Sequence, residues 1–130
     1  MFVETSAIVA MLLQEPAAPT LAERINNASN RITSPLVVLE ASMVLSSILA
    51  IEPDESERRV RDFLFRSGTA IAPIDDAAAS LAVAAFARYG KGRGHPARLN
   101  MSDCLSYACA KQHQAELLYV GSDFAQTDLA

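Results

Sequence analysis

The sequence predicts a three-layer α/β domain with a central parallel sheet of about four strands. Three observations carry this reading. Short apolar runs of strand length, Met1–Glu4, Arg31–Thr33, Ala70–Ile74 and Glu116–Val120, are separated by stretches of helical character. Helix start signals stand in front of most of those stretches. The chain has 130 residues, which fits one domain over 1–130 and leaves little room for a second. Strands that alternate with helices pair in parallel through right-handed crossovers.

Each element has a local reason. Met1–Glu4 reads as the first strand. Thr5 or Ser6 caps a helix over Ala7–Gln14, which Pro16 ends. Ala18–Asn27 reads as a second helix, Asn26–Asn30 as a turn and Arg31–Thr33 as a brief strand. Ser34 caps the next helix and Pro35 takes its first position, with the apolar run carrying it to about Ile51. Pro53-Asp54 restarts a helix through Phe65, with Val60, Phe63 and Leu64 inward and a stop at Ser67-Gly68. After the strand Ala70–Ile74, Asp75 or Asp76 caps an alanine-rich helix to Tyr89. Gly90–Asn100 carries three glycines and a proline and reads as a flexible loop. Asn100 or Ser102 caps a last helix to about His113, and Gly121 breaks the final strand, Glu116–Val120.

Composition narrows the class. Hydrophobic residues make up 51% and charged residues 20%, enough apolar material for a core. The longest apolar stretch, Leu36–Ile51, is broken by Glu40 and three serines and falls short of a span of roughly 20 residues. No basic segment precedes an apolar run at the N-terminus, which argues against a secretory signal. Cys104 and Cys109 lie five apart on one predicted helix and point in different directions, so the expectation is free thiols in a reducing cytoplasm. Net charge is −4, which speaks against broad nucleic-acid binding. Yet Arg88, Lys91, Arg93 and Arg98, four of the eleven basic residues, crowd into one segment beside His95. That segment reads either as a solvated connection or as an edge that contacts phosphates.

Four acids are placed where an acid needs a reason. Glu4 ends the first strand, Glu40 interrupts the long apolar helix, Asp103 opens the last helix and Asp123 follows the last strand. Each has an ordinary explanation taken alone: an exposed strand end for Glu4, a helix dipole for Asp103, a cap for Asp123. Glu40 resists one, because Val37, Leu39, Ala41, Val44 and Leu45 leave it little polar surface. In open parallel sheets, ligands bind at the carboxyl edge of the strands, where Glu4 and Asp123 fall. Carboxylates gathered there repel one another, and a cation relieves them. An all-oxygen set suits Mg²⁺ or Mn²⁺. The chain has no HExxH, no paired CxxC, no P-loop, no GxGxxG and no nucleophile elbow. Metal-assisted phosphodiester chemistry is what remains.

The motifs resemble a family. Met1-Phe2-Val3-Glu4-Thr5-Ser6-Ala7 resembles the opening of the PIN-domain ribonucleases, specifically the VapC-type toxins of bacterial toxin–antitoxin pairs. Ser34-Pro35 leading to Leu39-Glu40-Ala41 resembles their second acidic motif, and Tyr89-Gly90-Lys91-Gly92 with Leu99–Cys104 and Tyr107-Ala108 the third. Leu117-Leu118-Tyr119 through Asp123-Phe124 and Thr127-Asp128 resembles the fourth. The resemblance implies an Mg²⁺- or Mn²⁺-dependent endoribonuclease in the cytoplasm, a homodimer, blocked by a VapB-type antitoxin that covers the active-site groove. It implies Glu4, Glu40, Asp103 and Asp123 as metal ligands, and Ser6 as a residue that holds a metal-bound water or supports Glu4. The basic segment, read from its own charge, supplies Lys91, Arg93 and Arg98 as the expected RNA contacts.

Two departures stand out. The family has aspartate where this chain has Glu4, a methylene longer. Its last motif often carries an earlier or additional acid, matched here by Gly121 or Ser122, which leaves Asp123, with Asp128 as a substitute. These departures keep a second reading open, a catalytically weakened or inactive PIN fold that binds antitoxin or RNA without cutting. A phosphoacceptor domain ranks lower. It needs two adjacent acids after the first strand and a lysine after the last, and the chain offers Glu4-Thr5 and no lysine beyond Val120.

Overall fold

The computed structural model describes all 130 residues. The elements, in chain order, are β1 (Phe2–Val3), α1 (Thr5–Leu12), α2 (Ala18–Asn27), β2 (Ile32–Thr33), α3 (Pro35–Leu49), α4 (Pro53–Arg66), β3 (Ala70–Ile71), α5 (Asp76–Tyr89), α6 (Met101–Gln112) and β4 (Leu117–Leu118). A short 3₁₀ turn, Phe124–Gln126, follows β4. The strands pair in the order β3-β2-β1-β4, all parallel, with Phe2 opposite both Ile32 and Leu117. The chain runs outward from β1 to β2 and β3, then crosses back to lay β4 on the other side of β1. Right-handed crossovers in opposite directions put helices on opposite faces. Accordingly α1 packs with α2, α3 and α4, while α5 and α6 pack with each other. The expected three-layer α/β domain is what forms.

The cap signals act as read at three helices. Ser34 accepts from the Val37 amide, Asp75 from the Ala78 amide, and Asn100 forms a reciprocal capping box with Asp103. Helix α1 differs. Its cap is neither Thr5 nor Ser6 but Glu4, whose carboxylate accepts from the Ser6 amide at 2.8 Å. An anion at the positive end of a helix is a stronger acceptor than a neutral hydroxyl, so the carboxylate takes the position. The Thr5 hydroxyl is left buried without a partner.

The strands are shorter than the apolar runs that mark them. β3 stops at Ile71 and β4 covers Leu117–Leu118. Backbone bonds run on a little further at the strand ends, where the Ala72 amide donates to the Thr33 carbonyl at 2.8 Å and the Glu4 amide to the Leu118 carbonyl at 3.0 Å. The Thr33 hydroxyl, fully buried, donates to the Val3 carbonyl at 2.7 Å and ties β2 to β1. Phe2, Ile8, Leu45, Leu99 and Leu118 are entirely buried between the layers. Cys104 and Cys109 are buried free thiols, as expected.

The basic segment is held more firmly than a flexible loop implies. Ala97 and Leu99 are fully buried, the Leu99 amide donates to the Tyr89 carbonyl at 2.9 Å, and Lys91 returns a bond to the Leu99 carbonyl at 2.9 Å. The His95 ring meets Tyr89 edge-on at 4.8 Å. Gly90 allows this return. A Cβ built there would stand 2.4 Å from the Phe86 carbonyl oxygen and 2.3 Å from the Phe86 ring. Backbone cannot yield as a flexible side chain does, so Gly90→Ala is expected to destabilise the fold by about 1–3 kcal/mol. Urea denaturation measures this, and a variant with an unchanged midpoint contradicts it.

Candidate active site

The order β3-β2-β1-β4 has its switch point between β1 and β4, where successive connections leave in opposite directions. A crevice opens there beyond the carboxyl ends of the strands. It has a volume of about 350 Å³, and its walls include Glu4, Thr5, Ser6, Glu15, Glu40 and Val120. Sequence order places Glu4 in it by ending β1. Ser6 then closes the gap between the two strands: its hydroxyl donates to Glu4 Oε2 at 2.5 Å and accepts from the Val120 amide at 2.8 Å. Ser6 therefore supports Glu4, and joins it to the segment after β4.

Glu4 is 4% exposed. Burial pushes its carboxyl above the ordinary range, the Ser6 hydroxyl and amide pull it back, and the charges of Asp103 and Glu40 push it up again. Asp103 is also raised, first by burial, then by Asp123 and Glu40, against the Asn100 amide that donates to Asp103 Oδ2 at 3.1 Å. Glu4, Glu40 and Asp103 thus share one electrostatic neighbourhood, and Asp123 enters it through Asp103. Glu40 reaches it from α3, where Ser102 Oγ lies 2.6 Å from Glu40 Oε2. Asp123, exposed, stands at the start of the 3₁₀ turn without capping it.

The side chains do not close on one point. No three of these acids stand close enough together to form a ready ligand set, and each of Glu4, Glu40 and Asp103 accepts from a hydroxyl or amide of its own. Mg²⁺ does not require three protein ligands. It keeps several waters and takes one or two carboxylates. The donors present are hard carboxylate oxygens that raise one another's pKa, which fits a divalent cation of that kind.

Asp128 is engaged elsewhere. Its carboxylate accepts from Tyr107 at 2.6 Å and Tyr89 at 3.3 Å, and pairs with Lys111 at 2.5 Å. Burial works to raise the Asp128 carboxyl, but Lys111 and the two phenols together hold it below the usual range, while burial of the Tyr107 phenol and then its bond to Asp128 push that phenol up. The substitute-ligand role considered for Asp128 therefore has no support in this placement; the residue fastens the C-terminus onto α5 and α6.

Two residues of the site escaped the sequence reading. Glu15 lies just past α1, and nothing in its neighbourhood marks it. Ser102 was legible only as a possible cap, and its bond to Glu40 spans 62 positions.

The cations sort themselves. Arg24, Arg58, Arg59, Arg61, Arg66 and Lys111 have carboxylate partners, and Arg31 is bonded to three backbone carbonyls. Arg88 lies over the Tyr89 ring. Lys91, Arg93 and Arg98 have no acidic partner and are exposed, on the segment that leads directly into Asn100 and Asp103.

A crevice that holds the carboxylates of Glu4, Glu15 and Glu40 at the switch point of a parallel sheet, with unpaired cations on the segment leading to Asp103, has the makings of a site of the nuclease type. The PIN domain family model matches residues 1–129, and the chain belongs to that family. It is similar along its length to VapC ribonucleases. It is 38% identical to one from Rhizobium meliloti, over 98% of each chain, and 41% identical to Ribonuclease VapC28 of Mycobacterium tuberculosis, over 98% of this chain and 93% of that one. Two solved structures share the fold. Mycobacterium tuberculosis VapC20, described as a Sarcin-Ricin loop cleaving toxin, superposes with a TM-score of 0.72 at 13% identity, covering 95% of this chain and 92% of that one. A chain of a toxin–antitoxin complex from Klebsiella pneumoniae gives 0.72 at 20% identity, covering 98% and 92%. No helix is long and apolar enough to cross a membrane.

Proposed function

We propose that this protein is a metal-dependent endoribonuclease, the toxin of a toxin–antitoxin pair, which hydrolyses RNA phosphodiester bonds at Glu4, Glu40, Asp103 and Asp123. The observation that carries the proposal is the gathering of Glu4 and Glu40 on one crevice at the sheet's switch point, with Glu40 tied to Ser102 beside Asp103. These carboxylates would hold Mg²⁺ or Mn²⁺, which supplies positive charge to the phosphate and activates the attacking water. Ser6 holds Glu4 through Oε2 and leaves Oε1 without a protein partner. Burial and neighbouring charge make Glu4 and Asp103 readier proton acceptors than ordinary carboxylates when no cation is present. Hydrolysis joins the oxygen of water to phosphorus and releases a ribose oxygen, and one proton of the water must leave.

Lys91, Arg93 and Arg98 would guide the RNA backbone to the crevice. Each phosphate contact on a single strand contributes about 0.7 to the dependence of log affinity on log salt. Replacing all three by alanine is expected to flatten that slope by roughly two. Filter binding between low and moderate salt reads it, and an unchanged slope removes these residues from the interface.

The partner proposed is a VapB-type antitoxin that covers the crevice, and the assembly a homodimer in the cytoplasm. The test of the function is cleavage of a panel of structured RNAs in Mn²⁺ or Mg²⁺, with EDTA alongside. Cutting that EDTA abolishes is the expected result. Failure both to cut and to bind Mn²⁺ would exclude the metal-dependent nuclease.

A further inference from the structure

Glu40 is the acid whose own helix offers it nothing. It is half-buried on α3, and Ser102, second residue of α6, is its one hydrogen-bond partner. Ser102 Oγ lies 2.6 Å from Glu40 Oε2 and 3.0 Å from Asn100 Oδ1. A hydroxyl has a single proton to donate. The shorter distance and the charged acceptor assign it to Glu40. Asn100 Oδ1 is already served by the Asp103 amide at 2.9 Å. One turn of α6 therefore fixes two acids: its capping box orients Asp103, and the Ser102 hydroxyl reaches across to Glu40 on α3.

Without that hydroxyl, nothing retains the Glu40 carboxylate in the crevice. Its side chain has several free torsions, and the charges of Glu4 and Asp103 favour its swinging out to water. We infer that Ser102 is a positioning residue, holding the Glu40 carboxylate of α3 in register with Asp103 of α6 so that both face the same cation and phosphate. This rests on the function proposed above. Nothing local in the sequence points to the contact, which exists because α3 and α6 meet at the sheet edge.

The test is calorimetric titration with Mn²⁺ alone, without RNA, on the parent, Ser102→Ala, Ser102→Thr, Glu40→Gln and the double variant Glu40→Gln/Ser102→Ala. Loss of a hydrogen-bonded partner of a metal ligand weakens affinity by roughly 10–100-fold. Ser102→Ala is expected to fall in that range with its melting temperature unchanged, and Ser102→Thr, which keeps the hydroxyl, to bind as the parent does. In the Glu40→Gln background the alanine change is expected to add nothing, because its effect passes through the Glu40 charge. Parent-like binding by Ser102→Ala overturns the inference while leaving the nuclease intact. So does a threonine variant as weak as alanine, or an equal loss with and without the Glu40 charge. A parent that binds no Mn²⁺ overturns the proposed function and the inference with it.

Discussion

Replacing Asp103 by asparagine is expected to lower metal-dependent RNA cleavage by on the order of 100-fold or more, with little change in stability. Even the outer partners of metal ligands are worth roughly 10–100-fold, so the carboxylate itself belongs at or above that range. Stability holds because Asp103 has two jobs that asparagine separates. Its Oδ2 closes the capping box by accepting from the Asn100 amide at 3.1 Å, and an asparagine side-chain oxygen can accept the same bond. Its charge, which adds to that of Glu4 and feels Glu40 and Asp123, is removed. Alanine would remove both, at about 0.5–2 kcal/mol for the lost cap, and confuse the two effects. Initial rates on one defined RNA, with melting curves of both proteins, make the measurement. Undiminished cleavage would place the chemistry away from α6.

Glu4→Gln is expected to abolish cleavage and yet, in EDTA, to melt a few degrees above the parent at pH 8. Glu4 is the most buried of the acids, and burial and like charge raise its pKa from 4.5 despite the bonds from Ser6. A raised carboxyl binds its proton more tightly in the folded state than in the unfolded one. The stability it contributes is full below the unfolded value and is lost as pH rises through the folded value. The parent therefore carries a charge at pH 8 that weakens it, and glutamine does not. Glutamine keeps an oxygen for the Ser6 amide and hydroxyl, so the cap of α1 survives. As pH falls, the parent takes up the proton and the gap closes.

The informative quantity is the difference between the two proteins. Asp75 and Asp128 have lowered pKa values and lose stability in acid in both of them. Added Mg²⁺ should reverse the order at pH 8, stabilising the parent alone. Parallel melting profiles across pH, with and without Mg²⁺, would show that Glu4 carries no strained charge and takes no part in holding the ion.

The elements were legible because their signals act within a few residues. Ser34 with Pro35, Asp75 and Asn100 start helices by bonds to amides three positions on, and Gly90 permits a turn that a Cβ would block. The acids were legible for a related reason. A carboxylate in an apolar stretch, as Glu40 is, has a cost that something in the fold must offset. The membership in the PIN-domain family follows from motifs spread over nearly the whole chain.

What needed the tertiary structure was every contact between distant segments. Glu4 and Val120 are joined by Ser6 across 114 positions of sequence, Glu40 and Ser102 across 62, and Asp128 is drawn to Tyr89, Tyr107 and Lys111. From the sequence, Asp123 stood as the fourth acid with Asp128 as its substitute, and Glu4 had no reason to cap its own helix. Sequence spacing sets which face of an element a side chain occupies. Which faces meet depends on the strand order and on how the layers fill the core, and the choice among competing partners for one carboxylate is made only once those layers are packed.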